Sequence, residues 1–128
     1  MPVQVASLKN IAPIRLPGRD LQWLVTPETM DVTGMSMAVM TCHPHAVVRP
    51  LHAHKDIDEV IYIVQGQGET WVEGARATFG SGDAVLFPAN ARHQVRNTGD
   101  EDLIAVCMFS GVTDPDSYIK YDRDVFSE

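Results

Sequence analysis

Cysteine is scarce in this sequence. Only Cys42 and Cys107 occur in 128 residues, far apart and outside any CxxC pattern. That excludes a disulfide framework and the paired-cysteine zinc or redox motifs. Each cysteine sits in an apolar run, "MAVMTC" and "LIAVCMF", which predicts buried, reduced thiols. Basic residues are also few: ten Lys and Arg stand against seventeen Asp and Glu, a net charge of -7. Nucleic acids and anionic membranes require clustered cations, so neither is an expected partner. No apolar run approaches the roughly 20 residues of a membrane helix. The opening "MPVQVASLKN" has no charged segment leading into an apolar one, so no secretory signal is read there and the expected location is cytoplasmic. Long segments of 3.6-residue periodicity are missing too, which excludes a helical bundle or a helix-turn-helix.

What is present is ordinary globular material, 45% hydrophobic and 21% charged. The length suits one domain spanning residues 1–128. Short β-branched or apolar runs follow one another: "MSMAVMTC", "EVIYIVQG", "ETWVEG", "ARATF", "DAVLFP", "HQVRN" and "LIAVCMFSG". Turn signals separate them at "VEGAR", "GSGD", "PANA" and "NTGDED". Short strands at this spacing predict an antiparallel sandwich or barrel. "APIRLPGRD" reads as a loop, and "LQWLV" as an edge strand whose Trp23 would be a liability unless a second copy covered it. In the acidic tail, Asp114 before Pro115 predicts an N-cap and a short terminal helix or ordered arm.

Five histidines occur, and two of them stand in "HAHKDIDE". On a strand, residues i and i+2 share a face, so His52 and His54 point the same way. Their Cα atoms would be about 6.5 Å apart, close enough for two imidazoles to reach one ion. Glu59 joins them only if "KDID" turns the chain, which would make a hairpin with Glu59 at the head of its second strand. Two imidazoles and a carboxylate form a facial set suited to Fe(II) or Mn(II) and leave coordination positions open. His93, in a later strand, is the candidate fourth ligand. His43 and His45 form a second HxH around Pro44 and read as exposed rim residues.

These residues carry a resemblance to the cupins. The first cupin motif, G-x5-H-x-H-x3/4-E-x6-G, is met by Ala46, His52, His54, Glu59 and Gly66. The second, G-x5-P-x-G-x2-H-x3-N, is met by Gly82, Pro88, Asn90, His93 and Asn97. Ala46 and Asn90 replace glycines at turns, and asparagine tolerates positive φ. The resemblance implies an all-β jelly-roll barrel, with His52, His54, Glu59 and His93 as ligands of one divalent ion. Fe or Mn is favoured over Ni, Zn or Cu, and Glu59 doubles as the catalytic group. It implies a homodimer and a small-molecule substrate. Fe(II)-dependent oxygenase chemistry is the first reading. Isomerase, lyase or decarboxylase chemistry is the second, and a ligand sensor without turnover the third.

By strand parity, Ile61, Ile63, Val95 and Val85 or Phe87 face inward, while Tyr62, Gln94 and Arg96 face outward. Arg49, Arg76, Arg92 and Arg96 are the cations considered for a substrate carboxylate. The expected pocket is apolar around one polar ion.

Overall fold

A computed structural model describes residues 2–126. Among the described residues eleven strands are formed: β1 (Ile14–Leu16), β2 (Arg19–Val25), β3 (Ser36–Cys42), β4 (His52–His54), β5 (Glu59–Gln65), β6 (Gln67–Val72), β7 (Ala75–Gly80), β8 (Ala84–Phe87), β9 (His93–Asn97), β10 (Leu103–Phe109) and β11 (Tyr118–Lys120). They build two antiparallel sheets, one in the order β1-β2-β3-β10-β5-β8 and the other β11-β4-β9-β6-β7. The sheets face each other as a jelly-roll barrel.

Alternation places the core. Along β3 the burial runs buried, half-buried, buried, and β10 repeats the pattern. Ile61, Ile63, Leu103, Ala105 and Cys42 are almost completely buried between the sheets. Full burial of an aliphatic side chain of this size stabilises by about 1.5–3 kcal/mol. Tyr62 and Val64 project from the outer face of β5. The inward and outward assignments on β5, β8 and β9 therefore hold, with one addition. Gln94 points away from the barrel but has no exposure, because the C-terminal segment covers it. Its Nε2 donates to Val48 O at 2.9 Å and to Asp124 Oδ1 at 2.8 Å, and its Oε1 accepts from Val125 N at 2.7 Å.

The N-terminal region departs from the sequence reading. Part of "APIRLPGRD" is strand β1, and Pro17-Gly18 turns it into β2. Gly18 has φ +82°, and a side chain there would overlap the Val47 carbonyl. Strand β1 covers only the start of β2, Arg19–Leu21, so of "LQWLV" only Leu21 is paired on both sides, and the rest is hydrogen-bonded in the sheet to β3 alone. Trp23 turns inward and packs on Phe109, with ring centroids 5.5 Å apart. Sequence alternation alone could not see that a three-residue strand would pair with the first three residues of β2.

The tail is an ordered arm. Asp114 caps a single 3-10 turn, Pro115–Ser117, by accepting from Ser117 N at 2.9 Å. The expected helix stops there, because the chain then pairs as β11 alongside β4.

Candidate functional site

Strand β4 holds His52 and His54, and β9 holds His93 directly across the ladder from His52. Glu59 opens β5 in the opposite sheet. The expected β4–β5 hairpin is not formed, because β4 pairs with β9 and β11 while β5 pairs with β10 and β8. "KDID" instead carries the chain from one sheet to the other. The result at the site is the one anticipated: Glu59 faces the imidazoles, now across the barrel.

Two clasps hold this corner. Asp56 N donates to Asn90 Oδ1 at 3.1 Å, and Ala89 N donates to Asp58 Oδ1 at 2.8 Å. Asn90 takes φ +67°, the conformation the family pattern assigns to glycine. Its backbone N–H donates to His54 O at 2.9 Å, as a glycine's would, while its Oδ1 accepts from Asp56 N and its Nδ2 donates to Asp56 Oδ1 at 3.3 Å, so the departure from glycine adds a hydrogen-bonding side chain beside the site.

One ring nitrogen from each of His52, His54 and His93 lies within 4.8 Å of the other two. Glu59 Oε1 is 3.1 Å from His54 Nε2 and 3.4 Å from His93 Nε2. All four side chains are buried. His52 Nδ1 faces Pro50 O at 2.9 Å and His93 Nδ1 faces Ala91 O at 3.1 Å. A carbonyl only accepts, so both Nδ1 atoms carry the proton in the neutral rings. Each Nε2 then presents a lone pair to the interior, as metal-ligating histidines do. His54 Nδ1 is buried without a partner among the described residues. Phe87 stacks flat on His93, centroids 4.0 Å apart and 6° between planes, which fixes that ring.

Burial, reinforced by the neighbouring His93, pushes His52 down to about 3, so it is neutral at ordinary pH. Burial works against ionisation of Glu59, but the hydrogen bond from His54 and the neighbouring His93 outweigh it and hold the carboxyl well below the usual carboxylate range. Burial, then the Glu59 charge, pushes the Cys107 thiol far up, so it stays protonated. The arrangement is a buried anion with lone pairs converging on it and an orphaned imidazole nitrogen. Such a set is unfavourable in a dry interior unless a cation compensates. The three imidazoles could hold a metal ion, and the donor chemistry fits a divalent one.

The site opens into a cavity of roughly 1050 Å³ between the sheets. Leu21, Trp23, Met40, Val95 and Phe109 form its apolar wall, and Arg19 is also in the lining. Of the four arginines considered from sequence, only Arg49 is in the lining, and all four are engaged with carboxylates. Arg92 pairs with Glu73, Arg96 and Arg76 lie by Glu69, and Arg49 pairs with Asp124. His43 and His45 are exposed, near Asp20 and Asp100 respectively. Sequence reasoning passed over Arg19 and Tyr118. Parity with Leu21 and Trp23 was the available signal for Arg19, hidden by the reading of "APIRLPGRD" as a loop.

A model of the cupin domain matches residues 38–109, more than half of the chain. The chain belongs to the cupin family. This cupin is similar to the polyketide synthase CurC of Streptomyces cyaneus, with 31% identity over 107 residues covering 84% of this chain and 69% of that protein. It is also similar to acireductone dioxygenase of Bacillus thuringiensis subsp. konkukian, 38% identical over 63 residues, or 45% of this chain and 36% of that protein. Among solved structures, oxalate decarboxylase of Lactobacillus farciminis in its formate complex superposes with a TM-score of 0.77 and 25% identity. That match covers 88% of this cupin and 34% of the decarboxylase, so this chain spans about a third of it. No helix among the described residues is long and apolar enough to cross a membrane.

Proposed function

We propose that this cupin, one domain over residues 1–128, is a small metalloenzyme. His52, His54, Glu59 and His93 hold one divalent ion, iron or manganese in first place, then nickel, zinc or copper. The observation that carries the reading is the inward aim of two carbonyl-pinned imidazoles at a buried carboxylate, beside an orphaned His54 Nδ1. The favoured reaction is oxygen-dependent cleavage of a small, mainly apolar organic substrate, and the similarity to acireductone dioxygenase supports it. The chain's own residues have distinct tasks. The apolar wall strips water from the substrate and orients it. Phe87 and the two backbone carbonyls keep the imidazoles in one orientation. Glu59 lowers the net positive charge at the centre and is placed to take a proton. When bound, the ion would supply Lewis acidity, and redox capacity if it is iron.

The similarity to oxalate decarboxylase favours a second reading, non-redox lyase, decarboxylase or isomerase chemistry in the same cavity. A sensor without turnover is the third. The test is anaerobic loading with Fe(II), then oxygen uptake against diketones, catechols and uronates. Fe(II)-dependent uptake with any of them supports the first reading. Conversion with Mn(II) or Zn(II) and no uptake replaces it with the second. No conversion in either form leaves the sensor.

We also propose a homodimer. With Trp23 inside, its surface moves to the outer face of the larger sheet, where Tyr62, Val64 and Leu86 are exposed.

A further inference from the structure

Arg19 is a buried charged residue of the cavity with no assigned task. It is only 5% exposed and lines the same cavity as His52, Glu59 and His93. Buried guanidinium groups are rare unless something anionic meets them. Among the described residues no carboxylate does. Nη1 donates to Pro17 O at 3.1 Å and to Arg49 O at 2.7 Å. These two neutral acceptors fix the plane of the guanidinium but leave its charge uncompensated. Nη2 reaches Tyr118 Oη at a long 3.5 Å. No acceptor among the described residues meets Nε. The free edge of the fork thus retains donors with the geometry that a carboxylate accepts in pairs.

Tyr118 connects this group to the candidate metal ligands. Its ring packs on His52 at 5.0 Å and on His54 at 5.7 Å between centroids, while its hydroxyl turns to Arg19. Strand β11 fixes that position, since Tyr118 pairs with His54 in the ladder. The cavity therefore has two polar poles. One is the imidazole–carboxylate cluster, and the other is Arg19 with the Tyr118 hydroxyl. The Tyr118 side chain stands between them, and Leu21, Trp23 and Phe109 line the same cavity. Arg76, Arg92 and Arg96 lie outside the lining, Arg49 is in it but pairs with Asp124, and Lys120 is exposed.

We infer that Arg19 and the Tyr118 hydroxyl form an anion-binding pole that selects substrates bearing a carboxylate, with the Tyr118 ring between it and the histidine cluster. The inference rests on the metalloenzyme reading for what happens at the far pole, but anion selection itself needs no ion. The ligand class is a small carboxylic acid with an apolar body. Arg19 acts as a specificity and positioning residue.

The test uses benzoate and its neutral isostere benzamide, titrated calorimetrically into the full chain freed of metal with chelator. Wild type is expected to bind benzoate at least about tenfold more tightly than benzamide. Arg19→Gln should weaken benzoate by about 10–100-fold, the value of a charge-assisted hydrogen-bonded pair, and leave benzamide within about twofold. Arg19→Lys keeps the charge without the fork and should recover part of the loss. Arg19 also ties the Pro17 turn to Arg49, so Arg19→Gln could fail to fold. In that case Tyr118→Phe decides, since it leaves both carbonyl bonds of Arg19 in place. It should weaken benzoate alone by about threefold. Equal affinity of wild type for the two probes overturns the inference. So does an equal loss of both in Arg19→Gln, which is the mark of a purely structural residue, or no change in Tyr118→Phe. Metal stoichiometry measured on the same preparations separates the two readings. A chain that discriminates benzoate yet takes up no ion refutes the metal centre and keeps the anion pole. A chain that loads one ion without discriminating does the reverse.

Discussion

Asn97 offers a perturbation whose size and pH dependence both follow from geometry. It ends β9, four residues beyond His93, and is 2% exposed. Its Nδ2 donates towards Cys42 O at 3.1 Å, His43 O at 3.1 Å and Glu101 O at 2.8 Å. Its Oδ1 accepts from Gly99 N at 2.8 Å. Asn97→Asp preserves the shape and the bond to Gly99 but turns a donor into an acceptor facing three carbonyl oxygens. Two donated bonds are lost, at about 1 kcal/mol each, and a buried carboxylate is left against the carbonyls, adding about 1–3 kcal/mol. The ionised variant should therefore be destabilised by about 3–5 kcal/mol, a large part of the 5–15 kcal/mol typical of a domain. Protonation returns one O–H donor and removes the charge, recovering about 2–3 kcal/mol. At 1.36 kcal/mol per pH unit, that raises the folded-state pKa of the new Asp from about 3.9 to about 6. The folded variant then binds more protons than the unfolded one between about pH 4 and 6, so its stability falls as pH rises through that window. The assay is urea unfolding of wild type and variant in chelator at several pH values, read as the difference between them. A difference below about 1 kcal/mol at pH 7, or one that does not change between pH 4 and 7, would refute the reasoning.

Other outcomes follow from the same structure. Glu59→Gln removes the only anion among the four convergent groups, so divalent-metal affinity, measured by chelator competition, should fall at least about tenfold while the circular dichroism stays that of the wild type. Gly18→Ala should lower the melting temperature by about 8 °C or more, because φ +82° and the Val47 carbonyl both oppose a side chain there. In chelator, stability should decline as pH falls from about 6.5 towards 3. Folded His52, pushed down to about 3, resists a proton that the unfolded chain accepts, and Glu59 adds to the loss below the usual carboxylate range. Light scattering at low micromolar concentration should give about twice 14.1 kDa, and charging the outer face with Val64→Lys should shift the mass to the monomer.

Much of the fold was legible because the strands from Ser36 to Phe109 follow a period of two, with one face reserved for the interior. The inward set on β5 and β9 could be read from Glu59 and His93 by counting. Legibility failed where a strand's partner, rather than its own pattern, decides its place. "APIRLPGRD" has the composition of a loop, yet it folds as β1 and the start of β2, Arg19–Leu21, across one glycine at positive φ, which leaves only Leu21 of "LQWLV" paired on both sides. "KDID" reads as a hairpin turn, yet it crosses between sheets, because the carboxylates of Asp56 and Asp58 are occupied by groups more than thirty positions away: Asn90 Nδ2 at 3.3 Å and Ala89 N at 2.8 Å. The convergence of Glu59 on the histidines survived that error for a physical reason. In a hairpin or across a barrel, a side chain at the head of β5 with the parity of Ile61 must point inward, and inward is where β4 aims both imidazoles. Arg19 obeys the same parity with Leu21 and Trp23. Once β2 is known to lie inside the sheet, the cation has nowhere to go but the cavity, and its charge must be met there.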